Sequence, residues 1–224
     1  MTTRSHDNAK IEPQWIPPVY AGPEPDRVAP ESGDAGSKGD GGEGKVYHGS
    51  CRCGAAQIAV RLRGPLDESY KEPVLECNCS ICQRVSSLPC HDNFIHLLQP
   101  SVRDWFSQWY LPRHVQGGYI WIYPKKEQIA VEGAENLTEY VFGNKVWKKM
   151  FCKTCGVHIM TDLAVQSEEE WAALPEEVRK FNDGLRGYRP VNVRTFNEPG
   201  FDPLSVKAAK SDGWNNLKPA YVNP

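Results

Sequence analysis

The chain has 224 residues, 26 Lys and Arg against 28 Asp and Glu, and 40% apolar residues. That length suits one domain with tails, and a formal charge of -2 gives no electrostatic basis for binding nucleic acid. No apolar run reaches the ~20 residues of a membrane span, and "MTTRSHDNAKIEPQWIPP" has no signal-peptide core, so no membrane role and a cytoplasmic (or nuclear) location are expected.

Residues 1–45 hold six Pro and seven Gly and end in "ESGDAGSKGDGGEGK". Such a composition buries too little apolar surface to offset chain entropy, so this N-terminal arm reads as disordered. Within it, "IEPQWIPPVY" (11–20) offers Trp15, Ile16 and Tyr20 as a segment able to dock on a surface, against the alternative of an unattached tail. A folded domain is expected over 46–224. "AQIAVRLRG" alternates Ile58, Val60 and Leu62 with Gln57, Ala59 and Arg61, the period of a half-buried strand. "GYIWIYP", "EQIAVEG", "LTEYVFG", "NKVWKKMF", "VHIMTDL" and "VNVRTF" continue the series of short strands, separated by turn signals, which predicts a mainly β domain. The helical stretch lies near the C-terminus in "SEEEWAALPEEVRKFNDG". Ser167 and Glu170 fit a capping box there, Pro175 can split the stretch into two short helices, and Gly184 suits the stop.

Seven of the eight cysteines fall in three clusters: Cys51 and Cys53, then Cys77, Cys79 and Cys82, then Cys152 and Cys155. In a reducing compartment clustered cysteines bind metal more often than they pair. A spacing of two or three places two sulfurs on one ion through a tight turn, and Gly54 and Gly156 suit the positive φ of such a turn. Seven ligands divide into four and three. A structural zinc takes four protein ligands, whereas a catalytic zinc keeps a position open. The distant pairs Cys51/Cys53 and Cys152/Cys155 make a natural closed site, and Cys77, Cys79 and Cys82 make the open one. Three alternatives stand beside this: all seven as inert core cysteines, a single structural zinc with the triplet idle, or Cys90 closing the second site.

"YHGSCRCGAAQIAV", "CNCSICQR", "GYIWIYP" and "FCKTCGVHI" together resemble the glutathione-dependent formaldehyde-activating enzyme family, which includes the centromere protein V relatives. The resemblance covers roughly residues 46–163, and "PVNVRTF" fits the family's closing strand. It implies a zinc-tethered β-structure, the β-tent, with two Zn2+ per chain. A structural zinc would be held by Cys51, Cys53, Cys152 and Cys155, and a catalytic zinc by Cys77, Cys79 and Cys82. Many members have His between the first two triplet cysteines, where this chain has Asn78. The departure touches pocket chemistry more than metal binding. The implied activity is that of a carbon–sulfur lyase: formation or cleavage of S-hydroxymethylglutathione, with glutathione as co-substrate and a small thiol or aldehyde as partner. The alternative, of another class, is a zinc-stabilised protein-interaction module without catalysis.

Family members pass from the last triplet cysteine to the Gly-Tyr strand in a few residues. Here residues 85–116 intervene, and removing Val85 to Gln116 joins "CSICQR" to "GGYIWIYP". The removed piece is 32 residues, in frame, and Val-Ser and Gln can be encoded by splice-site-like sequences. It reads as a translated intron, or else as an insertion whose aromatic residues and His91 and His96 cover the open zinc. No functional weight falls on Cys90, His91, His96 or His114.

Arg52, Arg84, Lys145, Lys148, Lys149 and Lys153 lie near the clusters, either to offset anionic zinc centres or as ordinary solvated charge. Tyr119, Trp121 and Tyr123 alternate with Ile120 and Ile122 on one strand, as a pocket lining or as sheet packing. His158 follows the last cysteine pair, as a partner of that site or as a plain strand histidine.

Overall fold

Alternating β-branched and aromatic residues build two sheets in the computed structural model, which describes residues 16–25, 44–77, 79, 81–82, 119–165, 167–203 and 205–212. The segment 85–116, with Cys90, His91, His96 and His114, lies outside these residues, as do Trp15, Asn78 and Arg84. The smaller sheet is antiparallel in the order β1 (Lys45–Ser50), β2 (Gln57–Leu62), β5 (Ile129–Glu132). The larger sheet contains β3 (Val74–Cys77), β4 (Ile120–Ile122), β6 (Leu137–Val141), β7 (Trp147–Cys152), β8 (His158–Leu163), β9 (Val191–Asn192) and β10 (Ala209–Ser211). Its order is β10-β3-β4-β9-β8-β7-β6, and only the β10–β3 pair is parallel. The described residues are thus mainly β, as the alternation predicts.

The core joins the two sheets. Ile58, Val60 and Leu62 from β2 are fully buried together with Ile122, Ile159 and Val191 from the larger sheet. Tyr47 stacks on Phe196 with ring centroids 5.2 Å apart, and its hydroxyl accepts from the Leu66 N–H at 2.6 Å. A buried phenol needs such a partner, because an unpaired hydroxyl in the core costs on the order of 1–3 kcal/mol.

Residues 16–25 cross the outer face of the small sheet. Tyr20 stacks on His48 of β1 at 4.8 Å, Glu24 contacts the His48 Nε2 at 2.8 Å, and the Pro25 carbonyl accepts from the Arg61 Nε at 3.1 Å. This part of the N-terminal arm, expected to be disordered apart from a docking stretch, is therefore placed on the domain. Ala59, expected to face solvent opposite Ile58 and Val60, is fully buried. The strap explains this, because β2 is the central strand and has a covered outer face.

Two short helices follow β8. The first, α1 (Glu168–Ala172), is capped as the sequence predicts: the Glu170 N–H donates to Ser167 Oγ and the Ser167 N–H to Glu170 Oε2, each at 3.1 Å. Pro175 separates it from α2 (Glu176–Asn182). The helix ends at Asn182 and tightens into a 3-10 turn over Asp183–Leu185, so Gly184 lies within that turn instead of forming the stop. Fully buried Asn182 explains the early end: its side chain accepts from the Trp147 indole at 2.7 Å and donates to the Val178 carbonyl at 2.7 Å. None of the described helices is long and apolar enough to cross a membrane.

Candidate metal centres

Cys51 and Cys53 sit in the β1–β2 connection, while Cys152 ends β7 and Cys155 lies in the turn leading to β8. The fold brings these four together, with all sulfurs within 4.8 Å of one another. Cys51 to Cys53 and Cys53 to Cys152 are each 3.5 Å. A disulfide holds its sulfurs about 2.05 Å apart, which excludes that bond here. Tetrahedral zinc with ~2.3 Å bonds spaces its sulfurs about 3.8 Å apart, close to what is seen. The donor set and the spacing therefore fit zinc.

Backbone geometry prepares both halves of this cluster. Gly54 and Gly156 each follow a cysteine turn with φ of 79° and 73°, the left-handed region glycine enters without strain. The turns then aim N–H groups at sulfur. Ala56 N–H lies 3.4 Å from Cys51 Sγ, and backbone N–H groups of Cys155 and Thr154 face Cys152. Burial works against the Cys152 thiolate, but those N–H groups and the Cys53 and Cys51 thiols outweigh it and bring the thiol down to about 6. Cys51 is pushed the other way, to about 12, by burial first and then by its sulfur neighbours. Cys53 is exposed, so this centre reaches the surface.

The second cluster follows β3. Cys77, Cys79 and Cys82 again have all sulfurs within 4.8 Å, and the Cys79 N–H points at Cys77 Sγ at 3.5 Å. Cys79 and Cys82 are buried and Cys77 is half-buried. Hydrogen bonds from the Cys77 and Cys82 thiols pull the Cys79 thiol well below its usual range, with the Cys82 N–H and the charge of Lys149 adding to them. Cys82 is pushed up in return, by the Cys77 and Cys79 sulfurs and by burial.

The surroundings of this triplet come from three strands. Strand β4 turns Ile120 and Ile122 to the main core, while Tyr119, Trp121 and Tyr123 pack with the triplet cysteines. The aromatic alternation thus lines the three-cysteine centre. From β8, His158 sits edge-on to Tyr119 at 4.8 Å and to Trp121 at 5.0 Å. It belongs with the aromatic wall of the triplet. Its Nε2 donates to the Met160 carbonyl at 2.9 Å, while its buried Nδ1 lacks a partner among the described residues. Burial first, and Lys149 second, hold this imidazole neutral, down to about 3.

Neighbouring lysines on β7 separate by pleat. Lys148 reaches Glu139 on β6 at 2.7 Å, whereas Lys149 points inward, 6% exposed, with Nζ 4.2 Å above the Trp121 ring centroid. Arg52, Lys145 and Lys153 are exposed. The sequence names Lys149 only as one of six basic residues near cysteines. Its burial depends on strand register, which composition does not carry.

No family model matches the chain. A crystal structure of a Rhodobacter sphaeroides protein is similar at 22% identity and a TM-score of 0.40, covering 73% of this chain and 97% of that one. At that level the likeness carries no argument about chemistry, and the site must be read from its own atoms.

Proposed function

We propose that the chain is a zinc-dependent carbon–sulfur lyase of the glutathione-dependent formaldehyde-activating type. On this reading Cys51, Cys53, Cys152 and Cys155 hold a structural zinc between two sheets arranged as a β-tent. Cys77, Cys79 and Cys82 hold a catalytic one. One observation carries the proposal. The sulfurs fall into a complete set of four and a separate set of three, one short of the four ligands zinc takes.

Zinc at the set of three would supply a Lewis-acidic position that favours a thiolate over a thiol. The three cysteines fix that position at the end of β3, with Tyr119 and Trp121 packed in the same cluster. The reaction asks little further of the protein. The thiol of glutathione gives up its proton to solvent, its sulfur forms a bond to the carbonyl carbon of formaldehyde, the C=O π pair moves to oxygen, and oxygen takes a proton from solvent, giving S-hydroxymethylglutathione. Cleavage is the reverse. Other thiol conjugates with a carbon–sulfur bond beside an oxygen fit the same chemistry.

The test uses full-length, reduced protein with measured zinc content. Exchange spectroscopy by NMR on glutathione and formaldehyde should show faster adduct formation and cleavage than in buffer. The acceleration should disappear in Cys79→Ser. A chain carrying two zincs that accelerates neither this adduct nor those of other small aldehydes would overturn the lyase reading in favour of a non-catalytic interaction module.

A further inference from the structure

Lys149 presents an electrostatic problem. Its ammonium is almost fully buried, and among the described residues it meets no carboxylate and no hydrogen-bond acceptor. Burying an unpaired cation costs several kcal/mol, and two aromatic faces recover only part of that. The rings are Trp121, at 4.2 Å from Nζ, and Phe142, at 5.6 Å. Trp121 belongs to one packed cluster with Cys79, Cys82 and Tyr119, so the anionic charge on this wall is that of the triplet sulfurs. His158, the other basic group on this wall among the described residues, is neutral, so among those residues Lys149 is the cation there.

We propose that Lys149 is the built-in counter-charge of the three-cysteine centre, and that it lets this buried centre accept a fourth, anionic sulfur ligand from a low-molecular-weight thiol. The inference rests on the reading of Cys77, Cys79 and Cys82 as a metal centre that takes a substrate thiol.

The charge count gives the reason. Three thiolates and one Zn2+ sum to -1, and adding a substrate thiolate makes -2 in a water-poor site. With Lys149 beside them the sums are zero and -1. The four-cysteine centre reaches -2 as well, but Cys53 is exposed, and solvent screens it. A buried cation is needed where water is excluded, and that is where the fold places one. Lys148, one residue away, is taken up by Glu139 on β6 and does not serve. Lys149 is accordingly a positioning residue: it holds the ligand's charge and takes no part in bond making.

The experiment loads the full chain with Co2+ and follows the sulfur-to-cobalt charge-transfer bands during titration with glutathione, and separately with imidazole as a neutral fourth ligand. Lys149→Met keeps the apolar stem and removes the charge, Lys149→Arg keeps the charge, and Lys148→Met is the neighbour control. The inference predicts that Lys149→Met weakens glutathione at least about tenfold, the scale of one lost charge–charge contact in a partly buried site. Imidazole should be affected less than about threefold by the same estimate, since a neutral ligand feels no such loss. Lys149→Arg should stay within a few-fold of the parent, and Lys148→Met should be unchanged. Two bound Co2+ and an intact thermal transition establish that the variants are folded. If Lys149→Met does not fold, Lys149→Gln replaces it under the same criteria.

Equal glutathione affinity in the parent and in the charge-removed variant overturns the counter-charge. Equal weakening of glutathione and imidazole also overturns it, because that is loss of packing. A parent protein whose cobalt bands ignore glutathione altogether defeats the thiol-site reading itself, and the inference with it.

Discussion

Replacing Cys152 by Ser separates the two centres energetically. Cys53 and Cys152 touch at 3.5 Å across a sequence separation of 99 residues, so the four-sulfur cluster closes a very long loop and ties the β1–β2 connection to the end of β7. A cross-link closing about 100 residues removes roughly 4–5 kcal/mol of chain entropy from the unfolded state. Losing the metal tie should cost at least that much, out of the 5–15 kcal/mol by which a domain is usually stable. At about 2–4 °C per kcal/mol for a chain of this size, the midpoint should fall by roughly 10–20 °C, or cooperative folding should be lost. Cys79→Ser acts on three ligands within six residues of one another and ties no distant elements, so about 1–2 kcal/mol is expected, the cost of a buried polar replacement. The assay is urea and thermal denaturation under reducing conditions with metal content measured on the same samples. Equal losses from the two substitutions, or a Cys152→Ser protein that melts with the parent, would refute this division of roles.

Deleting Val85 to Gln116 should leave both centres loaded and the midpoint within a few degrees. Strands β3 and β4 are already antiparallel neighbours with Glu76 opposite Ile120, and the residues left between them suffice for a hairpin connection. Loss of the triplet metal on deletion would show that the segment supplies a ligand, Cys90 first among them, and sequencing the spliced transcript decides whether cells make the segment at all. Gly156→Ala should cost about 1–2 kcal/mol, because φ is 73° there and a Cβ meets no neighbour, leaving backbone strain as the only penalty; urea midpoints check this. His158, neutral in the fold down to about 3 against an ordinary 6.5, makes stability depend on pH. The unfolded chain binds the extra proton between those values, so this contribution is full above 6.5 and is lost as pH falls toward 3, with a slope of up to about 1.4 kcal/mol per pH unit. In metal-saturated samples His158→Gln should flatten the stability–pH curve relative to the parent between pH ~4.5 and ~6.5; identical slopes would show that the imidazole already titrates normally in the fold.

The strands that alternate cleanly, such as Gln57–Leu62 and His158–Leu163, are legible in the sequence because one face must be apolar. Val74–Cys77 and Ala209–Ser211 are not, since three or four residues hold too little period and their pairing is set by distant partners. The cysteine grouping is legible for a similar reason: two-residue and three-residue spacings are local, and the four-plus-three division follows from counting ligands. What surrounds the triplet is nonlocal. Trp121, Lys149 and His158 come from β4, β7 and β8 and Tyr119 from just before β4, and only the register between strands turns Lys149 inward and Lys148 outward. The docking of Tyr20 on His48 likewise joins residues whose attraction no local pattern encodes.

The central claim is that one chain carries a closed four-sulfur centre and an open three-sulfur centre. Native mass spectrometry of protein from its own host, reduced and zinc-supplemented, tests this directly, with glutathione added in a second run. The account predicts two zincs per chain, a glutathione adduct on the parent, and one zinc with no adduct on Cys79→Ser. A parent chain that holds a single zinc and binds no glutathione would contradict it.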